Sequence, residues 1–424
     1  MVPCFTDELA RWWRECETRA PGLGPAYREA EQSAREAEMD RFLDAVSSQL
    51  KRLPKSRADR ASAEERLTAA FRRFAAHGLG FSAAEVELLV SGGFTRTAKE
   101  LAQAARSLDP GVTGEDIFQA ARNAWTTNGV QAILGLPVQL TPAVFAYSML
   151  YPYTDNYLDA PEVSRRAKAS FNARFALRLA GGDAAACGPR EEIIWRLVGL
   201  IERQYDRARH PEVFDSLLAI QRAQARSVLL HRVTDRDAPD VLEIGFEKGG
   251  ASVLADAYLA AGALAPAEAK FAFAWGVLLQ LGDDAQDVER DAADGILTLF
   301  SQAARRGPLD LVMNRVFQFG EKVFSLLAPL GTASDTIKSL VERNAYRLLI
   351  EAAGSAGHLY SPSYIAALER HSPFRFAFLS DRRRRLLRHG NALAKLLESF
   401  ADDSEASGGC TDQGRNRSLA VAAR

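Results

Sequence analysis

The stretch that decides the fold runs from residue 271 to residue 294. It begins Phe271-Ala272-Phe273-Ala274-Trp275-Gly276-Val277-Leu278-Leu279-Gln280-Leu281 and continues Gly282-Asp283-Asp284-Ala285-Gln286-Asp287-Val288-Glu289-Arg290-Asp291-Ala292-Ala293-Asp294. The first part is apolar almost all round, as a buried helix requires. In the second, residues four apart lie nearly above one another on a helix, so Asp283, Asp287 and Asp291 share a face, with Asp284 and Asp294 close by. Such carboxylates repel one another, and Asp is a poor helix former. Divalent cations would offset both penalties, and magnesium prefers oxygen ligands, combining carboxylates with substrate phosphates. A solvated acidic face is the plainer alternative, but the apolar turns upstream weigh against it. The acidic face continues back through Gln280, Gly276 and Phe273, which are expected to line a cavity with its mouth at the aspartates.

Outward from this segment the helical pattern persists. Apolar residues recur at three- and four-residue intervals, and no alternating stretch reads as a strand. Helices are predicted near 5–19, with Thr6 as N-cap, then 25–51, 62–77, 83–91, 96–107, 114–134 and 142–160. Others are predicted near 162–180, 190–208, 212–232, 250–261, 266–292, 296–305, 310–327, 333–353, 362–370 and 380–400. The expected fold is all-α, a single large helical bundle around a central cavity. Residues 1–80 read as an N-terminal helical segment packed on it, 81–400 as the catalytic domain and 401–424 as a disordered tail.

Composition bounds the function. The 424 residues are 47% hydrophobic, enough for a large core, and carry a net charge of -1, with nothing global to attract nucleic acid. The four cysteines are far apart and the six histidines scattered, which argues against a zinc site or a disulfide scaffold and fits the cytoplasm. No run reaches the roughly 18 apolar residues of a membrane span.

A second acidic motif is Tyr153-Thr154-Asp155-Asn156-Tyr157-Leu158-Asp159. Asp155 and Asp159 are again four apart, and Pro161 places them in a last helical turn. There they face the negative end of the helix dipole, a cost of roughly 0.3–1 kcal/mol each. On its own the pair could be an ordinary surface feature; beside the first cluster it gains weight. Two acidic helix ends facing each other could hold metals that bind a diphosphate and draw off the charge developing as it leaves. Such chemistry needs a dry aromatic pocket. Phe145, Tyr147, Tyr151, Phe271, Phe273, Trp275 and Trp125 could supply cation–π faces, or could be plain core.

These residues resemble the class I isoprenoid synthase superfamily over roughly residues 90–300. Asp155-Asn156-Tyr157-Leu158-Asp159 looks like its first aspartate-rich motif and Asp283-Asp284-Ala285-Gln286-Asp287 like its second. Asp283, Asp287 and Asp291 keep the spacing of the three-ligand motif of terpene cyclases, with Asp replacing the usual Asn, Ser/Thr and Glu. Glu247-Lys248-Gly249-Gly250-Ala251-Ser252, read as preceding a helix whose free N–H groups suit an anion, and Gly295-Ile296-Leu297-Thr298 resemble the bacterial large-terpene synthases of the tetraprenyl-β-curcumene synthase type.

The resemblance implies a terpene synthase, a carbon–oxygen lyase acting on a prenyl diphosphate. Three magnesium ions would be present with substrate bound. The metal ligands would be Asp155, Asp159, Asp283, Asp284, Asp287 and Asp291, with Asp155, Asp159, Asp283 and Asp287 central to catalysis. Arg165, Arg166, Lys248, Arg290 and Arg375 are the candidate diphosphate contacts, although Arg165, Arg166 and Lys248 read equally well as solvated charges. Phe145, Tyr151, Phe273, Gly276 and Gln280 are the candidate pocket residues. A homodimer is compatible with the pattern.

Two rival readings remain. A head-to-head prenyltransferase similar to squalene or phytoene synthase also carries two Asp-x-x-x-Asp motifs. A non-catalytic helical binding protein derived from this fold would have had less reason to keep both motifs. Chain elongation fits less well, because Asn156 stands where elongating enzymes have a second Asp.

Overall fold

The computed structural model describes residues 1–51, 56–160, 162–231 and 240–387. Among them every regular element is helical, and the lone extended pairing is a single bridge between His231 and Ile296. In chain order the helices are α1 (Val2–Glu15), α2 (Glu29–Lys51), α3 (Arg57–Arg73), α4 (Ala83–Ser91), α5 (Phe94–Leu108), α6 (Gly114–Ile133), α7 (Pro142–Asp159), α8 (Arg165–Leu179) and α9 (Pro189–Gln204). They continue with α10 (Pro211–Ser227), α11 (Val241–Ala261), α12 (Pro266–Gln286), α13 (Val288–Asp294), α14 (Leu299–Ala304), α15 (Asp310–Ser325), α16 (Asp335–Ser355), α17 (Pro362–Glu369) and α18 (Phe376–Leu387). None is long and apolar enough, among the described residues, to cross a membrane. The expected tail, 401–424, lies outside the described residues.

The chain divides into two compact units. One comprises residues 1–33, 133–135 and 212–380, the other residues 34–132, 136–211 and those from 381 onward. The boundary near residue 80 read from the sequence is not one of these limits.

In the first unit, α11 and α12 form the most extensive helix pair, and α1, α15 and α16 pack on α12. Glycine makes the pair close. A β-carbon on Gly276 would lie 2.2 Å from the carbonyl oxygen of Gly249, and one on Gly250 would strike the Phe273 ring at 2.4 Å. Glycine inside a helix costs roughly 1 kcal/mol against alanine; here the cost is offset by close packing of two apolar helices. Asp240 caps α11, its Oδ1 accepting from the Glu243 N–H at 3.0 Å. Pro266 opens α12, and the Glu268 carboxylate accepts from the Ala265 N–H at 2.8 Å.

Three local expectations are corrected. Thr6 is not an N-cap; it sits inside α1, with its hydroxyl donating to the Val2 carbonyl at 3.0 Å. Residues 247–252 do not precede a helix but lie within α11, so their N–H groups are spent on intrahelical bonds rather than free for an anion. Gly249-Gly250 is accordingly a packing surface. The helix predicted over 266–292 is broken at Asp287, whose φ/ψ of -98°/8° places it between α12 and α13.

In the second unit α7 packs on α9 and α5, and α8 packs on α9. Thr141 caps α7, its hydroxyl accepting from the Val144 N–H at 3.2 Å, and Pro142 supplies the first helical residue. Pro152 stands inside α7, one turn ahead of the aspartate motif.

Candidate functional site

The acidic segment of the first unit spans the junction of α12 and α13. The helical register survives the break, because the Asp287 N–H donates to the Asp283 carbonyl and the Asp291 N–H to the Asp287 carbonyl, both at 2.9 Å. Asp283, Asp287 and Asp291 therefore keep their sequential stacking but differ in environment. Asp283 is exposed, Asp287 half-buried and Asp291 buried. The backbone of Asp287 occupies the sparsely allowed bridge region, where many active-site residues sit.

Asp291 is 8% exposed, and among the described residues its carboxylate accepts no side-chain hydrogen bond. Burial is the main force raising its pKa, to about 6; the Asp287 and Asp283 charges add to it, and Arg290 and Lys248 oppose. Asp284 is equally buried. Burial again dominates, pushing its pKa up to about 7, against a hydrogen bond that it accepts from the Gln280 side-chain amide at 2.8 Å. Asp291 and Asp283 raise it further and Lys248 lowers it. Asp287 is ion-paired with Arg290 at 2.5 Å, and the Arg290 side chain is itself largely exposed.

The donors are all hard oxygens and repel one another, which suits a hard divalent cation. As the side chains stand, no group of three or more His, Cys, Asp or Glu among the described residues is arranged to hold a metal ion. The donor chemistry fits the group; closing a coordination shell would need side-chain movement or oxygens from a substrate.

Past Asp294 the chain anchors the segment. Gly295 takes φ 72°, letting the Ile296 N–H return to the Asp291 carbonyl at 2.8 Å. Leu297 then enters a buried cluster with Leu230, Val241 and Ile244, and Thr298 caps α14. Gly295-Ile296-Leu297-Thr298 thus has a full structural role of its own.

The expected pocket residues separate. Phe273 is fully buried, against Phe5 (ring centroids 5.5 Å apart) and Gly250, and Gly276 abuts Gly249. At these two positions α11 and α1 close the face upstream of the aspartates. That corrects the reading of both as cavity wall: close helix packing occupies the space. Gln280 is half-buried and engaged with Asp284. Phe145 is buried and Tyr151 half-buried, both in the second unit. Trp125 stands exposed beside Phe94.

The first motif belongs to the second unit and is described within it. Asp155 and Asp159 fall in the last two turns of α7, and Asp155 is half-buried; the side chain of Asp159 lies outside what is described. Their neighbours are polar anchors that the sequence did not reveal. The Tyr153 hydroxyl donates to Asp109, and the Asn156 amide donates to Asp116 at 2.9 Å. Asp116 in turn accepts from the Thr113 N–H and hydroxyl at the start of α6. The Arg190 guanidinium lies 5.6 Å from the centre of the Tyr157 ring. Only the Thr113-x-x-Asp116 cap is visible in sequence; its link to Asn156, 40 residues on, is not.

The remaining candidate cations are dispersed. Arg165 and Arg166 are exposed in the first turn of α8, where the helix dipole disfavours a positive charge. Arg375 belongs to the first unit and lies 3.9 Å from Glu29. Arg382 is paired with Asp40 at 2.5 and 2.8 Å.

In comparison with known proteins, the chain matches no family model, no curated protein and no solved structure. The resemblance to isoprenoid synthases therefore rests on the two motifs and the helical fold.

Proposed function

We propose that the chain is a magnesium-dependent terpene synthase that ionises a prenyl diphosphate and converts the allylic cation into a cyclised or rearranged product. The observation that carries this reading is Asp291: a carboxylate 8% exposed, without a side-chain hydrogen bond among the described residues, beside the charges of Asp287 and Asp283. Burial and the neighbouring carboxylates disfavour its ionised form, a cost that a bound divalent cation would offset. The isoprenoid synthase fold is part of the same proposal, and the all-helical architecture is compatible with it.

Asp283, Asp287 and Asp291 would hold the metal, with Asp284 and Gln280 supporting them from behind. Bound divalent cations would supply electrostatic stabilisation of the departing diphosphate. In the ionisation, the bond between the allylic carbon and the diphosphate oxygen breaks and its electron pair leaves with the diphosphate. Asp155 and Asp159 are retained as ligands on the strength of the sequence motif, and Arg165 and Arg166 as candidate anion contacts.

The test is incubation of purified protein with magnesium and prenyl diphosphates of increasing length, with product masses and released diphosphate measured. A product that keeps the substrate's carbon count, at a rate first order in substrate at low concentration, supports the reading. A product of twice the carbon count would instead indicate a head-to-head prenyltransferase. Absence of diphosphate release from every substrate would favour a binding protein.

A further inference from the structure

The first aspartate motif stands on the weakest part of α7. Pro152 has no N–H to close a helical bond one turn back, and Pro161 follows the last turn. Two carboxylates from the segment joining α5 to α6 support this end of the helix. Asp109 is the C-cap of α5, and Asp116 stands in the first turn of α6. Each uses one oxygen to order its own turn and offers the other to α7. Asp109 Oδ1 accepts from the Gly111 N–H at 2.8 Å, and its Oδ2 from the Tyr153 hydroxyl. Asp116 Oδ2 accepts from the Thr113 N–H at 3.1 Å and the Thr113 hydroxyl at 2.6 Å, and its Oδ1 from the Asn156 amide at 2.9 Å. Tyr153 and Asn156 are three residues apart and so share a face of α7. Arg190, in the first turn of α9, adds a third tie by donating to the Tyr153 carbonyl at 3.4 Å. Asp155 falls about 200° round the helix from Tyr153 and about 100° from Asn156, so the two carboxylates grip a different face from its own.

We propose that Asp109 and Asp116 form a clasp that fixes the direction in which the end of α7 presents Asp155 to a divalent cation. They, with Tyr153 and Asn156, are then positioning residues for the first motif. The inference rests on the reading of Asp155 as a metal ligand. A ligand carboxylate aimed by its surroundings loses metal affinity when those surroundings are removed. A tie that only stabilises the helix behaves differently: its loss lowers the melting temperature and leaves the affinity of the folded protein unchanged.

The experiment uses the full chain, with Mn2+ in the presence of inorganic diphosphate as probe. Mn2+ affinity is measured by calorimetry, at a temperature where every variant is folded, together with melting temperature in EDTA. The variants are Tyr153→Phe, Asp109→Ala, Asp109→Asn, Thr141→Ala and Asp155→Ala. Thr141→Ala is the structural control, because it removes the cap at the far end of the same helix. Tyr153→Phe and Asp109→Ala are expected to bind Mn2+ about tenfold more weakly than wild type. Asp109→Asn keeps a hydrogen-bond partner for the Tyr153 hydroxyl, and it and Thr141→Ala are expected to bind as wild type does. Suppose Asp155→Ala weakens binding while Tyr153→Phe and Asp109→Ala do not, or Thr141→Ala weakens it as much as they do. The inference is then overturned and the reading of Asp155 stands. If Asp155→Ala binds as tightly as wild type, or wild type binds no Mn2+, that reading falls and this inference falls with it.

Discussion

Gly276 and Gly249 meet so closely that a methyl group on the first would lie 2.2 Å from the carbonyl oxygen of the second. This contact sets the spacing of α11 and α12. Backbone cannot yield as a flexible side chain does, so Gly276→Ala must push the helices apart. It should cost about 1–3 kcal/mol or more. Gly245, also inside α11, has open space where a β-carbon would go. Gly245→Ala should stabilise by about 0.5–1 kcal/mol through higher helix propensity. Denaturant melts of the two variants side by side check the contrast. Equal effects would mean that the glycine contact does not constrain the pair.

Asn156, between Asp155 and Asp159, is tied to the start of α6. Its amide donates to Asp116 at 2.9 Å, a place where a second carboxylate would face the first. Asn156→Asp replaces that hydrogen bond with repulsion and should lower stability by about 1 kcal/mol at pH 8. The loss should shrink at high ionic strength, which screens the repulsion between exposed carboxylates. A melting temperature unchanged at both ionic strengths would show that Asn156 does not tie α7 to the start of α6.

Much of the fold was legible from sequence, because apolar spacing and breakers such as Gly135-Leu136-Pro137, Gly181-Gly182-Asp183 and Ser361-Pro362 mark most helix limits to within a few residues. The end of α7 at Asp159 followed from Pro161. Other features depend on contacts far apart in sequence and leave no local trace. Gly249-Gly250 reads as the approach to a helix until Gly276 is set against it. The break at Asp287 falls within a pattern whose hydrogen-bond register is otherwise unbroken. The anchoring of Asn156 by Asp116 and of Tyr153 by Asp109 is a tertiary pairing. The candidate ligands were visible as a stripe, but their gradation from exposed Asp283 to buried Asp291 was not, since periodicity gives an angle about the helix and says nothing of what covers it.

Glu351, on α16, offers a pH test away from the aspartates. Burial pushes its pKa up from 4.5 to about 7, against the pull of Arg347. A carboxyl group with a raised folded-state pKa stabilises the fold fully below its unfolded value, and the benefit is lost as pH rises through the folded value. Wild type should therefore lose stability between about pH 4.5 and pH 7. Glu351→Gln, neutral throughout, should remove that part of the dependence and melt higher than wild type at pH 8. Identical stability-versus-pH curves for the two proteins would contradict the assignment.

Removing the charge of Asp291 separates a metal ligand from a structural residue. In EDTA, Asp291→Asn should melt at or above wild type, because a repelled and buried carboxylate becomes a neutral amide. Magnesium with inorganic diphosphate should then stabilise wild type and not the variant. An equal metal-induced shift in both proteins would remove Asp291 from the ligand set.

The most direct measurement compares two acids two residues apart on α13 and its junction. Asp287 lies within the acidic stripe, whereas Glu289 is exposed and paired with His358 at 3.0 Å. Diphosphate release from prenyl diphosphates should be measured with magnesium and with EDTA for wild type, Asp287→Ala and Glu289→Ala, alongside their melting temperatures. The account predicts release by wild type and Glu289→Ala in magnesium, none in EDTA, and nearly none from a fully folded Asp287→Ala. Turnover by wild type in EDTA, or an active Asp287→Ala beside an inactive Glu289→Ala, would contradict it.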